Sequence, residues 1–139
     1  MANLNLNGNV SKNEEVLELA FSDLIAFGKL FSPQDFLASA TPLFHVEVGK
    51  LLVDRDINQL ALVLPRDHAK STLAACAVLH RFVFATKERP EFICWVGEAQ
   101  DQAMDNLAWI QNHIYENPAI HYYFGDLEGD KWTKNEFTL

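Results

Sequence analysis

Lys70, Ser71 and Thr72 are the residues whose types and order point most directly to chemistry. They follow the apolar run Leu60-Ala-Leu-Val-Leu64 across the loop Pro65-Arg66-Asp67-His68-Ala69, and an apolar helical stretch begins immediately after them. A strand–loop–helix junction of this kind turns backbone N–H groups and the positive end of a helix dipole toward an anion. A lysine placed there reaches β and γ phosphate oxygens, and the following hydroxyl holds Mg²⁺. Lys70 and Ser71 fit these two roles. Against the pattern GxxxxGK[ST], Leu64 and Ala69 stand where glycines belong, and Pro65 gives up one N–H donor. The competing plain reading is a strand–loop–helix that carries Lys-Ser-Thr by chance.

The elements that must position this loop are read from periodicity. Residues 1–13 are polar, rich in Asn and without sustained periodicity, which predicts a flexible N-terminal arm. From Glu14, the residues Val16, Leu17, Ala20, Phe21, Leu24 and Ile25 recur at helical spacing. Ser32-Pro33 and Thr41-Pro42 each start a further helix, the second with Phe44, Val48, Leu51 and Leu52 inward and an end near Asp54. Within one domain, residues 14–57 are therefore expected to form an N-terminal helical segment, and 58–139 a partial P-loop core. In that core Leu60–Leu64 and Phe92–Val96 read as strands covered on both faces. Helices follow each of them, from about Lys70 to Thr86 and from Ala99 to about Asn117. Pro118 to Gly125 reads as a short helix or turn, and Lys131 to Leu139 as the start of another strand. Strand, helix, strand, helix predicts an α/β fold, a P-loop NTPase-like, largely parallel sheet flanked by helices and joined by right-handed crossovers.

Composition narrows the function classes. With 139 residues, 49% of them hydrophobic, the chain can bury a real core. A net charge of −8 and no run of Lys or Arg argue against a module that grips nucleic acid unaided. Cys76 and Cys94 lie in apolar stretches without CxxC spacing, which disfavours disulfide and zinc frameworks. No apolar run reaches the ~18 residues of a membrane span, and no basic-then-apolar leader opens the chain. An intracellular protein without a membrane segment is expected.

The loop resembles that of the terminase large subunits, the ATPases of viral DNA-packaging motors. Their phosphate loop lacks the first glycine and carries an early arginine, in forms such as Pro-Arg-Gly-His-Ala-Lys-Ser-Thr. This chain differs from that form only at Asp67. The resemblance extends upstream through Thr41-Pro-Leu-Phe-His-Val-Glu-Val-Gly-Lys-Leu-Leu52. Downstream it takes in Ala103, Asn106-Leu107, Ile110, Glu116-Asn-Pro118 and Phe124-Gly-Asp126, so it covers about residues 31–139. It implies ATP and Mg²⁺ as ligands, bound by residues 65–72 with Ser71 on the metal. Arg66 would act as a cis arginine finger, with Lys70 beside it in the catalytic set. Phe44 and His45 fall where the family reads adenine, through an aromatic stack and a polar contact. Asp67 is tolerated if its backbone takes the left-handed conformation of the family's glycine and its side chain turns to solvent. The resemblance also implies double-stranded viral DNA, a portal and a small terminase subunit as partners, and the host cell cytoplasm as location. It places the Walker B strand beyond Leu139, so the chain is expected to be truncated before that strand and incompetent in hydrolysis alone.

Several residues have plainer readings. Arg66 could equally pair with a nearby carboxylate, His45 could be a helix surface residue, and His68 is taken as a loop residue. His80, His113 and His121 lack partners at metal-ligand spacing. Glu98, just past the second apolar run, is read as a helix N-terminal acid rather than a catalytic carboxylate. The tryptophans read as core or interface residues. Two other functions stay open: another P-loop ATPase or nucleotide kinase, and a non-catalytic interaction module of the packaging assembly that keeps the loop's shape.

Overall fold

The computed structural model describes residues 9–138 apart from 67, 128, 131, 132, 134 and 135, with side chains from residue 12 onward. Among the described residues there are seven helices: α1 (Asn9–Ser22), α2 (Leu24–Phe31), α3 (Pro33–Phe36), α4 (Leu43–Val53), α5 (Lys70–Val83), α6 (Gln100–Glu116) and α7 (Pro118–Phe124). The helix α2 lies at the centre, touching α1, α3, α4, α5 and α7, while α5 also packs on α4 and α6. The core is helix on helix.

Local chemistry explains most of these boundaries. The periodic stretch from Glu14 does not run unbroken: Asp23 adopts extended backbone, and its carboxylate accepts from the N–H groups of Ile25 (2.8 Å) and Ala26 (3.2 Å). That cap ends α1 and starts α2. Eight residues are too few for an isolated helix, so packing must hold α2. Leu24, Ile25, Phe27 and Phe31 are buried, and Gly28 lets the Phe36 ring approach to where a Cβ would sit 2.6 Å from it. Asn117 caps α7 through the N–H groups of Ala119 and Ile120, with Pro118 at the first helical position. The amide of Asn117 also donates to the Phe31 carbonyl, tying α7 to the end of α2. Gly125, at φ 78°, closes α7.

The expected parallel sheet does not form, and this corrects the α/β, P-loop NTPase-like assignment. Residues 60–64 and 92–96 run outside any strand, and the described residues contain no ladder joining them. Both keep the alternation of a β-strand. Leu62, Leu64, Ile93 and Trp95 are half-buried, whereas Val63 (94% exposed), Phe92 (95%) and Val96 (85%) face solvent. The physical reason is that an apolar run specifies extension and an inward face locally, whereas a ladder requires a partner at fixed register. Covering on both faces, the basis of the sheet assignment, is not what these segments have. The helix α1 begins at Asn9, inside the expected arm, and residues 1–8 lie outside the described ones. The expected strand over 131–139 falls largely on residues that are not described.

His80 is buried in this core, on α5, among Phe21, Phe27 and Phe84. Its Nε2 donates to the Phe21 carbonyl at 2.9 Å, because a carbonyl can only accept, which leaves Nδ1 as the unprotonated nitrogen. Nδ1 is buried without a partner. Burial holds the imidazole below its ordinary 6.5, and the nearby Arg55 and Arg81 charges add to that, against the Phe21 bond. A histidine with a lowered folded-state pKa contributes stability that is present above its unfolded value and lost as pH falls through the folded one. Urea midpoints should therefore drop between pH 7.5 and pH 5.5 by more in the parent chain than in His80→Gln, which keeps a donor but does not titrate. Equal drops would show that His80 does not carry the effect.

Candidate functional site

The loop from Pro65 to Ala69 connects the extended segment 60–64 to the first residue of α5, Lys70. Leu62 and Leu64 pack against the core and anchor its near end, and Leu73 at 1% exposure anchors the far end. Ala69 has φ 54° and ψ 25°, the only left-handed non-glycine residue among those described. That conformation costs a residue with a Cβ roughly 1–2 kcal/mol. It occurs at the position where the phosphate-loop pattern has a glycine, a residue that adopts this conformation without a Cβ penalty. No side chain caps α5, and its first internal bond runs from the Leu73 N–H to the Ala69 carbonyl at 2.9 Å. The N–H groups of Lys70, Ser71 and Thr72 thus have no intrahelical acceptor.

Lys70 turns back over the loop. Its Nζ donates to the Leu64 carbonyl at 2.7 Å and to the Pro65 carbonyl. The ammonium is therefore held against the loop backbone at the start of α5. Ser71 is exposed, Thr72 half-buried and Arg66 exposed. Asp67 lies outside the described residues, so the expected orientation of its side chain is not observed. His68 donates from Nδ1 to the Arg66 carbonyl at 2.7 Å, a turn within the loop that position alone did not reveal.

The start of α4 is brought against this loop. His45 donates from Nε2 to the His68 carbonyl at 3.2 Å, and the Phe44 ring centroid lies 5.7 Å from that of His68 and 4.4 Å from that of His45. Phe44 and His45, separated from the loop by more than twenty positions in sequence, therefore belong to the same surface as Lys70. In this arrangement His45 braces the loop backbone, so its ring nitrogen would have to exchange that bond to read a base.

Other expected candidates are not drawn into the site. Glu98 is exposed and stands two residues before α6. His121 bonds the Tyr115 carbonyl at 2.7 Å. His113 enters a polar cluster that periodicity gave no sign of. Its Nδ1 donates to the Trp109 carbonyl at 2.9 Å, and its Nε2 lies 3.1 Å from Ser32 Oγ and 3.2 Å from Gln34 Nε2. The Ser32 hydroxyl donates to Asp35 at 2.6 Å. Although serine, histidine and aspartate meet here, Ser32 is 1% exposed and its proton is engaged by Asp35, so the cluster fastens α3 to α6 rather than facing a substrate. Cys76 is buried, which pushes its thiol far above the ordinary range and leaves it inert as a nucleophile.

Among the described residues no group of three His, Cys, Asp or Glu side chains gathers to hold a metal ion. A magnesium ion at the loop would rest on the Ser71 hydroxyl together with phosphate oxygens of its nucleotide, an arrangement common for this ion. The first-turn amides without an intrahelical acceptor, the Lys70 ammonium and the hydroxyl of exposed Ser71 fit a magnesium-bound polyphosphate. No protein-family model, curated protein or solved structure matches the chain.

Proposed function

We propose that this chain is the nucleotide-binding N-terminal part of a viral DNA-packaging ATPase of the terminase large subunit kind. The observation that supports this reading best is the loop itself. Ala69 takes a left-handed turn directly before Lys70, and Lys70 reaches back across the loop from the first position of α5. The reading rests on that local geometry and on the sequence resemblance. Bound Mg-ATP would supply the phosphoryl group whose transfer to water drives packaging. The chain's own residues bind and orient it: Lys70 meets the β and γ oxygens, the amides of Lys70 to Thr72 meet phosphate, and Ser71 reaches the metal. Arg66, exposed on the loop, would neutralise charge at the terminal phosphoryl. Phe44 and His45 flank the loop on the side where a base would lie. Viral DNA, a portal and a small terminase subunit are the partners in this reading, in the cytoplasm of the host cell. Among the described residues no helix is long and apolar enough to cross a membrane.

Titration calorimetry of the chain with a non-hydrolysable ATP analogue and Mg²⁺ tests the reading. Saturable binding that weakens when the metal is chelated is expected, and no binding at millimolar analogue would overturn it. Asp67→Gly should tighten that binding, because it removes a carboxylate from the neighbourhood of several phosphate charges and frees the backbone of the loop. Weaker binding in Asp67→Gly would mean that the carboxylate makes a favourable contact.

A further inference from the structure

Side chains engage four carbonyls between Leu64 and His68. Lys70 Nζ donates to those of Leu64 and Pro65, His68 Nδ1 to that of Arg66, and His45 Nε2 to that of His68. The first three contacts come from the loop and the helix it leads into, so they move with the loop. The fourth comes from α4, which is fixed elsewhere. Val48 and Gly49 of α4 are buried, and a Cβ on Gly49 would lie 3.5 Å from side-chain atoms of Leu24 and Ile25, so α4 is seated closely on α2. The Phe44 ring stands edge-on to the His45 imidazole, at 69° and 4.4 Å between centroids, and limits its rotation.

The His45 bond acts on one peptide unit. In a trans peptide the carbonyl and the following N–H point to opposite sides, so drawing the His68 carbonyl toward α4 turns the Ala69 N–H away from α4. Ala69 itself sits at φ 54°, where its Cβ is crowded. Rotating the 68–69 peptide would carry φ to negative values and relieve that crowding, while swinging the N–H to the other side. A left-handed alanine persists only where its surroundings hold it. We infer that His45 is a positioning residue for this loop, which holds the 68–69 peptide in place and takes no part in reading a base. A neutral imidazole has one N–H, so a His45 that donates to the loop has no donor left for a base. The consequence for binding rests on the nucleotide reading, in which the Ala69 N–H extends the row of amides that meets phosphate. The brace itself belongs to the unliganded chain. Its loss should weaken the grip on phosphate whether or not a base is attached.

Two measurements on the parent chain, His45→Ala and His45→Gln test this, glutamine keeping a donor near the Nε2 position. Without ligand, ¹⁵N relaxation of the Ala69 and Lys70 amides reads the brace. Order parameters of about 0.85 in the parent should fall toward about 0.6 in His45→Ala and recover in His45→Gln, while the amides of α2 stay unchanged. Titration calorimetry with Mg²⁺ and either a non-hydrolysable ATP analogue or tripolyphosphate reads the consequence. His45→Ala should lose about fivefold in affinity for both ligands, the size of one net hydrogen bond, and His45→Gln should recover most of it. Equal order at Ala69 in the parent and His45→Ala would overturn the inference, as would loosening that spreads to α2. A loss confined to the nucleotide, with tripolyphosphate unaffected, would also overturn it, because that is the signature of a base reader. A loop that loosens in His45→Ala while the parent binds neither ligand would instead remove the nucleotide reading and leave the brace standing.

Discussion

Phe27→Ala lowers the unfolding free energy by about 3–5 kcal/mol, the range for emptying a buried phenylalanine site. Phe27 is fully buried on α2, with ring centroids 4.7 Å from Phe31, 5.1 Å from His80 and 6.1 Å from Phe84. It thus joins the central helix to α5 and to the turn after it. Truncation removes the ring's transfer energy and leaves a cavity lined by aromatic edges that short helices held by caps cannot collapse to fill. Against a total of about 5–15 kcal/mol for a typical domain, the variant would be largely unfolded at modest temperature. Urea unfolding followed by circular dichroism measures it, with the midpoint falling and the slope unchanged. A loss below about 1 kcal/mol would mean that α2 is not the centre of the core.

Helices were legible where the signal is local. The start after Thr41-Pro42, the helix opening at Lys70 and the long helix before Asn117-Pro118 all carry their own periodicity, and they appear as α4, α5 and α6. The break at Asp23 was missed because the apolar spacing runs through it, although an aspartate followed by a new apolar stretch is itself a cap signal. The sheet was misread for a different reason. Leu60–Leu64 and Phe92–Val96 read as strands covered on both faces; the extension is observed, the double covering is not, and pairing is a relation between distant segments that neither run encodes. At the site, the order of residues 65–72 suggested the loop, and the left-handed turn at Ala69 was a conformation that an alanine gives no reason to expect. The contact of His45 with the His68 carbonyl placed Phe44 and His45 beside the loop, whereas the bonds from Lys70 to its own loop carbonyls had no sequence signal. His113, without partners at metal-ligand spacing in the sequence, finds its partners Ser32 and Gln34 about eighty residues away.

Lys70 carries the central claim. Its ammonium already sits over the loop, held by the Leu64 and Pro65 carbonyls, and binding of a triphosphate exchanges those neutral acceptors for charged oxygens. Hydrogen bonds between charged groups contribute up to about 3 kcal/mol, so Lys70→Ala should weaken binding by roughly a hundredfold. The side chain also braces the loop, and circular dichroism of the variant must show that α5 is retained before affinities are compared. The most direct measurement is titration calorimetry of the parent chain and Lys70→Ala with the same Mg-ATP analogue. Saturable binding by the parent and a loss of roughly a hundredfold in the folded variant is the result expected of a phosphate loop at residues 65–72. Equal affinity in the two proteins would contradict it, because a nucleotide indifferent to Lys70 is not bound at this loop.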